Sequence, residues 1–396
     1  MEAANPLMTR VSEAEAQGHS DAMWWIWYIA LALLAILLTT FHYLSTTSWW
    51  LASPERMADF GAAAPFQYRV LLPVVVAGVT NLAPWVDVEL LFAFIEVGAW
   101  MLLVVIAHRT LVHFQVGGSD LVRRLLAMTI VVPMAMHLIV PDMYFHSVFT
   151  IRGGVVELGK WQLVALFRYV YDLPAAVLTL TLVLLLARFV ESPDRRSFAA
   201  YLGIFAIATL NRETTVFMIP AFLAACWGAV GRRNLAMAIV AQVIVFAAIH
   251  GAVKWFFPGI PNPHANVMGT AYENHLLYNL GLFASPLYLL TYLARFGAGL
   301  YLPVMLLRRH LDPTLGRTLI CFGLPFLATA VYFGRLPEQR VVAEIVPILW
   351  LGAVQAIAAW SRTQRVSEAE PAAVHRLADA AARQSVAPKR TMAGIH

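Results

Sequence analysis

The chain has 396 residues, of which 60% are hydrophobic and only 13% charged, with a formal net charge of +5 and a mean hydropathy of +0.69. A soluble domain carries about a quarter charged residues, so this composition excludes one and points to a polytopic membrane protein. The roughly ten-residue alternating segments of a membrane β-barrel are absent, and Cys226 and Cys321 lie inside apolar runs that suggest neither a disulfide framework nor a metal knuckle. The basic residues sit at segment ends and in the tail, which is the pattern of membrane topology and not of nucleic-acid binding.

Residues 1–22 are polar, with Glu2, Glu13, Glu15 and a lone Arg10, and lack the compact basic start of a secretory signal. The run Met23–Leu44 is too long for a cleaved signal core and reads as an uncleaved first span. Trp24, Trp25, Trp27 and Tyr28 at one end and Trp49 and Trp50 at the other read as interfacial belts. The first polar loop follows: Pro54-Glu55-Arg56-Met57-Ala58-Asp59-Phe60, a small-residue linker, then Pro65-Phe66-Gln67-Tyr68-Arg69-Val70-Leu71-Leu72-Pro73. In so apolar a chain each charge needs a reason, and we read this loop as one wall of a site.

Val70–Ala83 is apolar but short. As a helix it would rise about 21 Å against about 30 Å of hydrocarbon, so a re-entrant or surface-lying segment is expected. If it crossed fully, Arg109, Arg123 and Arg124 would share the side of the polar loop, and the later basic loops would fall outside. The consistent arrangement is all-α, with about ten transmembrane helices near 23–45, 88–107, 124–141, 168–188, 198–212, 214–230, 234–256, 286–307, 318–334 and 342–361. External loops then fall at about 46–87, 142–167, 257–285 and 335–341, and the segments 1–22 and 362–396 are both cytoplasmic.

This order places 18 of the 28 Lys and Arg residues inside, the tail included, and nine outside: Arg56, Arg69, Arg152, Lys160, Arg168, Arg212, Lys254, Arg335 and Arg340. The bias is the positive-inside pattern. Several outer cations have acids nearby in sequence: Glu55 with Arg56, Arg212 with Glu213, Glu338 with Arg340, and Asp172 just after Arg168. Ionisable groups near hydrocarbon are expensive and pair or line a wet cavity. Four such clusters mapping to one face favour a shared cavity over separate loop anchors. The sharpest local signal is Ala208-Thr209-Leu210-Asn211-Arg212-Glu213-Thr214-Thr215, a polar break with no room for an ordinary loop. A tight reversal lining a cavity fits it; so does a plain helix cap at Asn211 with Glu213 in the first turn. His146, Arg152, Glu157 and Lys160 in the loop 142–161, and His264, Glu273, Asn274 and His275 in the loop 258–278, show no metal-ligand spacing.

These blocks resemble the GT-C superfamily of integral-membrane glycosyltransferases, in which a first span leads into an external loop with a catalytic carboxylate and then a proline-containing juxtamembrane segment. Glu55 and Asp59 occupy the carboxylate positions here, although as Glu-x-x-x-Asp and not as adjacent acids, and Pro65–Pro73 occupies the juxtamembrane position. Tyr171-Asp172-Leu173-Pro174, Asn211-Arg212-Glu213-Thr214 and Glu338-Gln339-Arg340 with Glu344 and Pro347 resemble recurring blocks of bacterial proteins of that type. The resemblance implies transfer of a sugar from a polyprenyl-phosphate-linked donor to a lipid or envelope-glycan acceptor at the outer face of a bacterial inner membrane. Asp59 or Glu55 would take the proton of the attacking hydroxyl. Arg69, Arg212 and Arg340 would hold the departing phosphate, and Gln67, Tyr68, Asp172, Asn211, Glu213 and Glu338 would contact substrate. A divalent cation, Mg or Mn, is compatible with Glu55 and Asp59. The competing expectation is a transporter or flippase for a lipid-linked or anionic solute, resting on Glu96 and Arg295 within apolar runs. A non-catalytic scaffold is the third.

Overall fold

The computed structural model describes residues 6–385 apart from 64–65, 141, 147–150, 153–154, 157–159, 165–166, 258–274, 335 and 337. Side chains are described from 24 to 365, except at those positions, at 142–164 and at 287 and 339. The chain is helical nearly throughout: α1 (Pro6–Ser45), α2 (Pro54–Ala58), α3 (Leu71–Leu82), α4 (Val88–His113), α5 (Asp120–Met128), α6 (Val131–Leu138), α7 (Asp172–Glu191), α8 (Arg195–Asn211), α9 (Met218–Cys226), α10 (Arg232–Phe256), α11 (Leu276–Phe283), α12 (Pro286–Arg295), α13 (Tyr301–Leu306), α14 (Pro313–Phe333) and α15 (Val346–Ser385). Short strands make only two-stranded pairs; the one that touches the site joins Thr47–Ser48 in parallel with Phe167–Arg168.

Polar residues start the helices where the apolar runs begin. Asp87 accepts from the Leu90 amide at the head of α4, Asp194 from the Arg196 and Ser197 amides at α8, and Asp312 from the Thr314 and Leu315 amides at α14. Pro313, in the first turn of α14, needs no amide partner there. Among the described residues seven helical stretches are long and apolar enough to cross a membrane: 24–45, 88–113, 120–138, 172–191, 232–256, 313–333 and 340–365. A further candidate is the pair Leu276–Phe283 and Tyr288–Gly299, bent by 103°. The protein is therefore an all-α, polytopic, membrane-type fold.

The remaining expected spans take other forms. The helix over 198–212 is α8. The run 214–230 begins as a 3₁₀ turn, Glu213–Phe217, and continues as the nine-residue α9. The stretch 286–307 is broken where Gly297, Ala298 and Gly299 take left-handed backbone angles. As the short length of Val70–Ala83 requires, α3 has 12 residues and rises only about 18 Å. At the two ends the expected borders vanish: α1 begins at Pro6 and α15 continues the last span into the tail as far as Ser385.

The packing separates a centre from a rim. In the most apolar 18 residues of 172–191 and 340–365, 72% and 78% of positions are buried, whereas in 24–45 and 232–256 only 22% and 17% are. The centre is one apolar cluster in which Trp100 and Leu103 of α4, Leu180 of α7, Phe222 of α9, Phe322 of α14 and Trp350 of α15 are all buried. Leu33, Leu37 and Phe41 on α1 and Val240 and Ile244 on α10 point outward. An apolar girdle on a chain so poor in charge is the surface that lipid covers.

Candidate functional site

The site forms where the polar loop after α1, the start of α7, the end of α8 and the segment before α15 meet. Ser53 caps α2 and Pro54 opens it. The buried side of α2, Met57 and Ala58, packs in a small apolar cluster with Phe92, Tyr169 and Tyr171. Past Phe60, whose φ of 53° turns the chain, Gln67 folds back and its Nε2 donates to the Phe60 carbonyl at 3.1 Å. This return buries Arg69, whose guanidinium lies 4.1 Å over the Tyr171 ring and 3.5 Å from Glu213 Oε1. Burial works against the Arg69 charge, but Tyr171, Glu213 and Asp172 hold its pKa above the ordinary value.

The break at 211–213 follows from backbone geometry. Arg212 is extended (φ −161°, ψ 137°) between α8 and the 3₁₀ turn, so it and its neighbours point to different places. Asn211 Nδ2 donates to the Tyr171 carbonyl at 3.2 Å and caps no helix, which corrects the capping reading. Arg212 turns inward and meets Asp172 Oδ1 at 3.2 Å and Glu344 Oε1 at 2.7 Å. Glu213 turns to Arg69 instead. Burial alone would raise its carboxyl, yet the Arg69 and Arg212 guanidiniums outweigh that and hold it below the usual value.

Arg340 completes the group. Its guanidinium stacks 3.6 Å from the Tyr169 ring, lies 3.5 Å from Asp172 Oδ2 and pairs with Glu338. Gly334 brings this segment close: a Cβ there would come within 2.6 Å of the Ala330 oxygen and 2.7 Å of Val341 Cγ1. Thr214 Oγ1 donates to Glu344 Oε2 at 2.7 Å and ties the segment to the 3₁₀ turn after α8.

The pairing differs from the order of the sequence. Arg212 and Glu213 do not pair with each other, and Asp172 serves Arg212 and Arg340, not Arg168. Arg168 lies 3.5 Å over Tyr43 and reaches Glu89 Oε1 at 3.4 Å. Of the candidate residues, Gln67, Arg69, Asp172, Asn211, Arg212 and Arg340 are buried within this arrangement, with Glu213 and Glu338 partly exposed at its edge. Tyr68 is half-buried, 5.9 Å from Lys254 Nζ. Glu55 and Asp59 are exposed on the outer side of α2 and join no ion pair among the described residues.

No group of three His, Cys, Asp or Glu side chains suited to a metal occurs among the described residues. Glu55 and Asp59 are not joined by a third such side chain there. Glu157, His264, Glu273 and Asn274 lie outside the described residues, as do the side chains of His146, Arg152 and Lys160.

Two members had no role assigned from the sequence. Glu344 stands only 3% exposed and supplies the second carboxylate to Arg212. His42 of α1 binds Glu96 of α4 through Nδ1 at 2.7 Å, and both line a cleft with Phe167, Tyr169, Asp172 and Arg340. The enclosed space takes about one water molecule. An acid inside an apolar run is a functional signal by default, and a search for a histidine near the same end of a neighbouring span would have joined Glu96 to His42.

Three guanidiniums face four carboxylates here, so the group is close to neutral. It is also rich in donors: Nε of Arg69, Arg212 and Arg340 and the Tyr171 hydroxyl are buried without a hydrogen-bond partner. Such a place is suited to an oxyanion with several acceptor oxygens. No known protein-family model, curated protein or solved structure matches the chain.

Proposed function

We propose that this protein is a GT-C-like glycosyltransferase that moves a sugar from a polyprenyl-phosphate donor to a lipid or envelope-glycan acceptor at the outer face of a bacterial inner membrane. In this reading the seven long apolar stretches, the bent pair, α8 and the run 214–230 make up the ten spans, and both termini are cytoplasmic. The observation that carries the reading is the convergence of Arg69, Arg212 and Arg340, from three distant parts of the chain, on Tyr169, Tyr171 and Asp172 at one end of the helices. Guanidinium forks match phosphate oxygens, and a leaving phosphate is where negative charge grows in the transition state.

The three arginines have unequal freedom. Arg212 is held on both sides by carboxylates only 3% exposed, so it organises the site. Arg69 and Arg340 answer to rim carboxylates, Glu213 at 41% and Glu338 at 23% exposure. A phosphate that displaces those two acids returns them to water at little cost, which makes Arg69 and Arg340 the donor-binding pair. The lipid tail would lie along the outward apolar faces. Glu55 and Asp59, exposed beside the site, face the side from which an acceptor would come.

The test is incubation of purified, reconstituted protein with a panel of undecaprenyl-phosphate hexoses and pentoses, following release of free undecaprenyl phosphate. Release that is lost in Arg340→Ala and Arg69→Ala, and donor binding that tightens in Glu338→Gln, are expected. Saturable donor binding with no release from any donor would overturn transfer and leave a lipid-linked solute carrier as the reading.

A further inference from the structure

The carboxylates assigned to proton transfer by resemblance are exposed, whereas the cleft beside Arg340 contains its own candidates. Asp172 is clamped at both oxygens, by Arg212 and by Arg340. Glu96 Oε1 is engaged by the His42 ring and by the Trp100 indole at 3.4 Å. An indole N–H only donates and a carboxylate only accepts, so with Glu96 as the carboxylate His42 meets Oε1 as Nδ1–H. That tautomer leaves the lone pair on Nε2. Among the described residues no hydrogen bond engages Nε2, although the His42 side chain is 7% exposed and lines the cleft.

We propose that His42, held in this tautomer by Glu96, is the proton acceptor for the attacking hydroxyl; the inference rests on the transferase reading above. The acceptor oxygen bonds to the anomeric carbon while that carbon's bond to the phosphate oxygen breaks. The bonding pair leaves with the phosphate, and the hydroxyl proton moves to His42 Nε2. The products are the glycoside, polyprenyl phosphate with one more negative charge, and an imidazolium beside Glu96 that returns its proton to water. Arg340, in the same cleft, receives the charge that the phosphate gains. The first requirement of a general base is an open lone pair, which this tautomer leaves on a side chain that lines the same cleft as Arg340; Glu96 supplies the second, a fixed orientation.

The experiment uses the full-length reconstituted protein and an undecaprenyl-phosphate sugar that the wild type turns over. His42→Gln and His42→Ala are expected to slow release of undecaprenyl phosphate at least about 100-fold, with donor affinity retained. Added imidazole is expected to restore part of the rate to His42→Ala and none to His42→Gln, which leaves no room for it. Glu96→Gln, which keeps an acceptor for Nδ1–H and removes the charge, should slow release by less than either. Wild-type rates in both His42 variants would overturn the role of His42 and leave the transferase reading standing. So would loss of donor binding in both, or a slow His42→Ala that imidazole does not rescue, since each marks a structural role. A wild type that releases nothing from any donor would overturn both readings.

Discussion

Two buried arginine clusters sit at opposite ends of the bundle and use the same residue types differently. Near the start of the first span, Arg124 stacks 3.5 Å from the Trp24 ring and bridges to Asp120 one helical turn away, while Asp120 also accepts from His108. Its acid is close in sequence, and Asp120 remains 48% exposed. At the other end Arg212 joins Asp172, 40 residues away, to Glu344, and all three side chains are buried. The first cluster fastens a helix end at an interface, where water screens the acid. The second places charge where water cannot screen it, and that arrangement is kept only if packing, or a ligand, requires it.

The contrast predicts unequal costs. Arg212→Met strands two buried carboxylates and should destabilise the protein by about 3–5 kcal/mol, and adding Glu344→Gln should recover part of it. Arg124→Met loses one solvent-screened pair and one ring contact, about 1–2 kcal/mol. Unfolding of both variants in the same detergent decides the matter, and equal losses would remove the distinction between the clusters. A smaller effect is expected at Gly334, where an added methyl group drives into the Ala330 carbonyl and Val341. Gly334→Ala should shift the segment before Arg340, weakening donor binding more than thermal stability. A variant that loses stability but keeps wild-type affinity would show that Gly334 serves only the helix end.

Much of this layout is written in the sequence, and the missing part has a physical cause. Apolar runs announce helical spans because a helix in hydrocarbon needs about 20 apolar residues, and Val70–Ala83 announces its own insufficiency by length. The polar blocks at 66–73, 171–174, 211–214 and 338–344 stand out because charge is rare in so apolar a chain. Which acid meets which base did not follow. Neighbours in sequence point apart when the backbone is extended, as at Arg212, so Glu213 left its neighbour for Arg69, 144 residues away. His42 stayed hidden for a similar reason: a lone histidine near a span end means little until the fold sets Glu96 beside it.

The finest test of the rim against the centre is acid titration. Glu213 is held below the usual carboxylate value of 4.5 by Arg69 and Arg212 despite the opposing effect of its burial. A carboxyl whose pKa is depressed by folding contributes stability above its unfolded value and loses it as pH falls through the folded one. The advantage of wild type over Glu213→Gln should therefore be constant from neutral pH down to about 5, then shrink as the pH falls further. With 41% of the side chain exposed, the whole effect should stay below about 1 kcal/mol. Thermal unfolding of the two proteins in one detergent between about pH 7 and pH 3 measures it. An advantage that grows on acidification would mean that the Glu213 carboxyl is raised by its burial and not lowered by its arginines. A phosphate would then meet a neutral acid at Arg69, and the exchange of rim carboxylate for donor phosphate would lose its electrostatic logic.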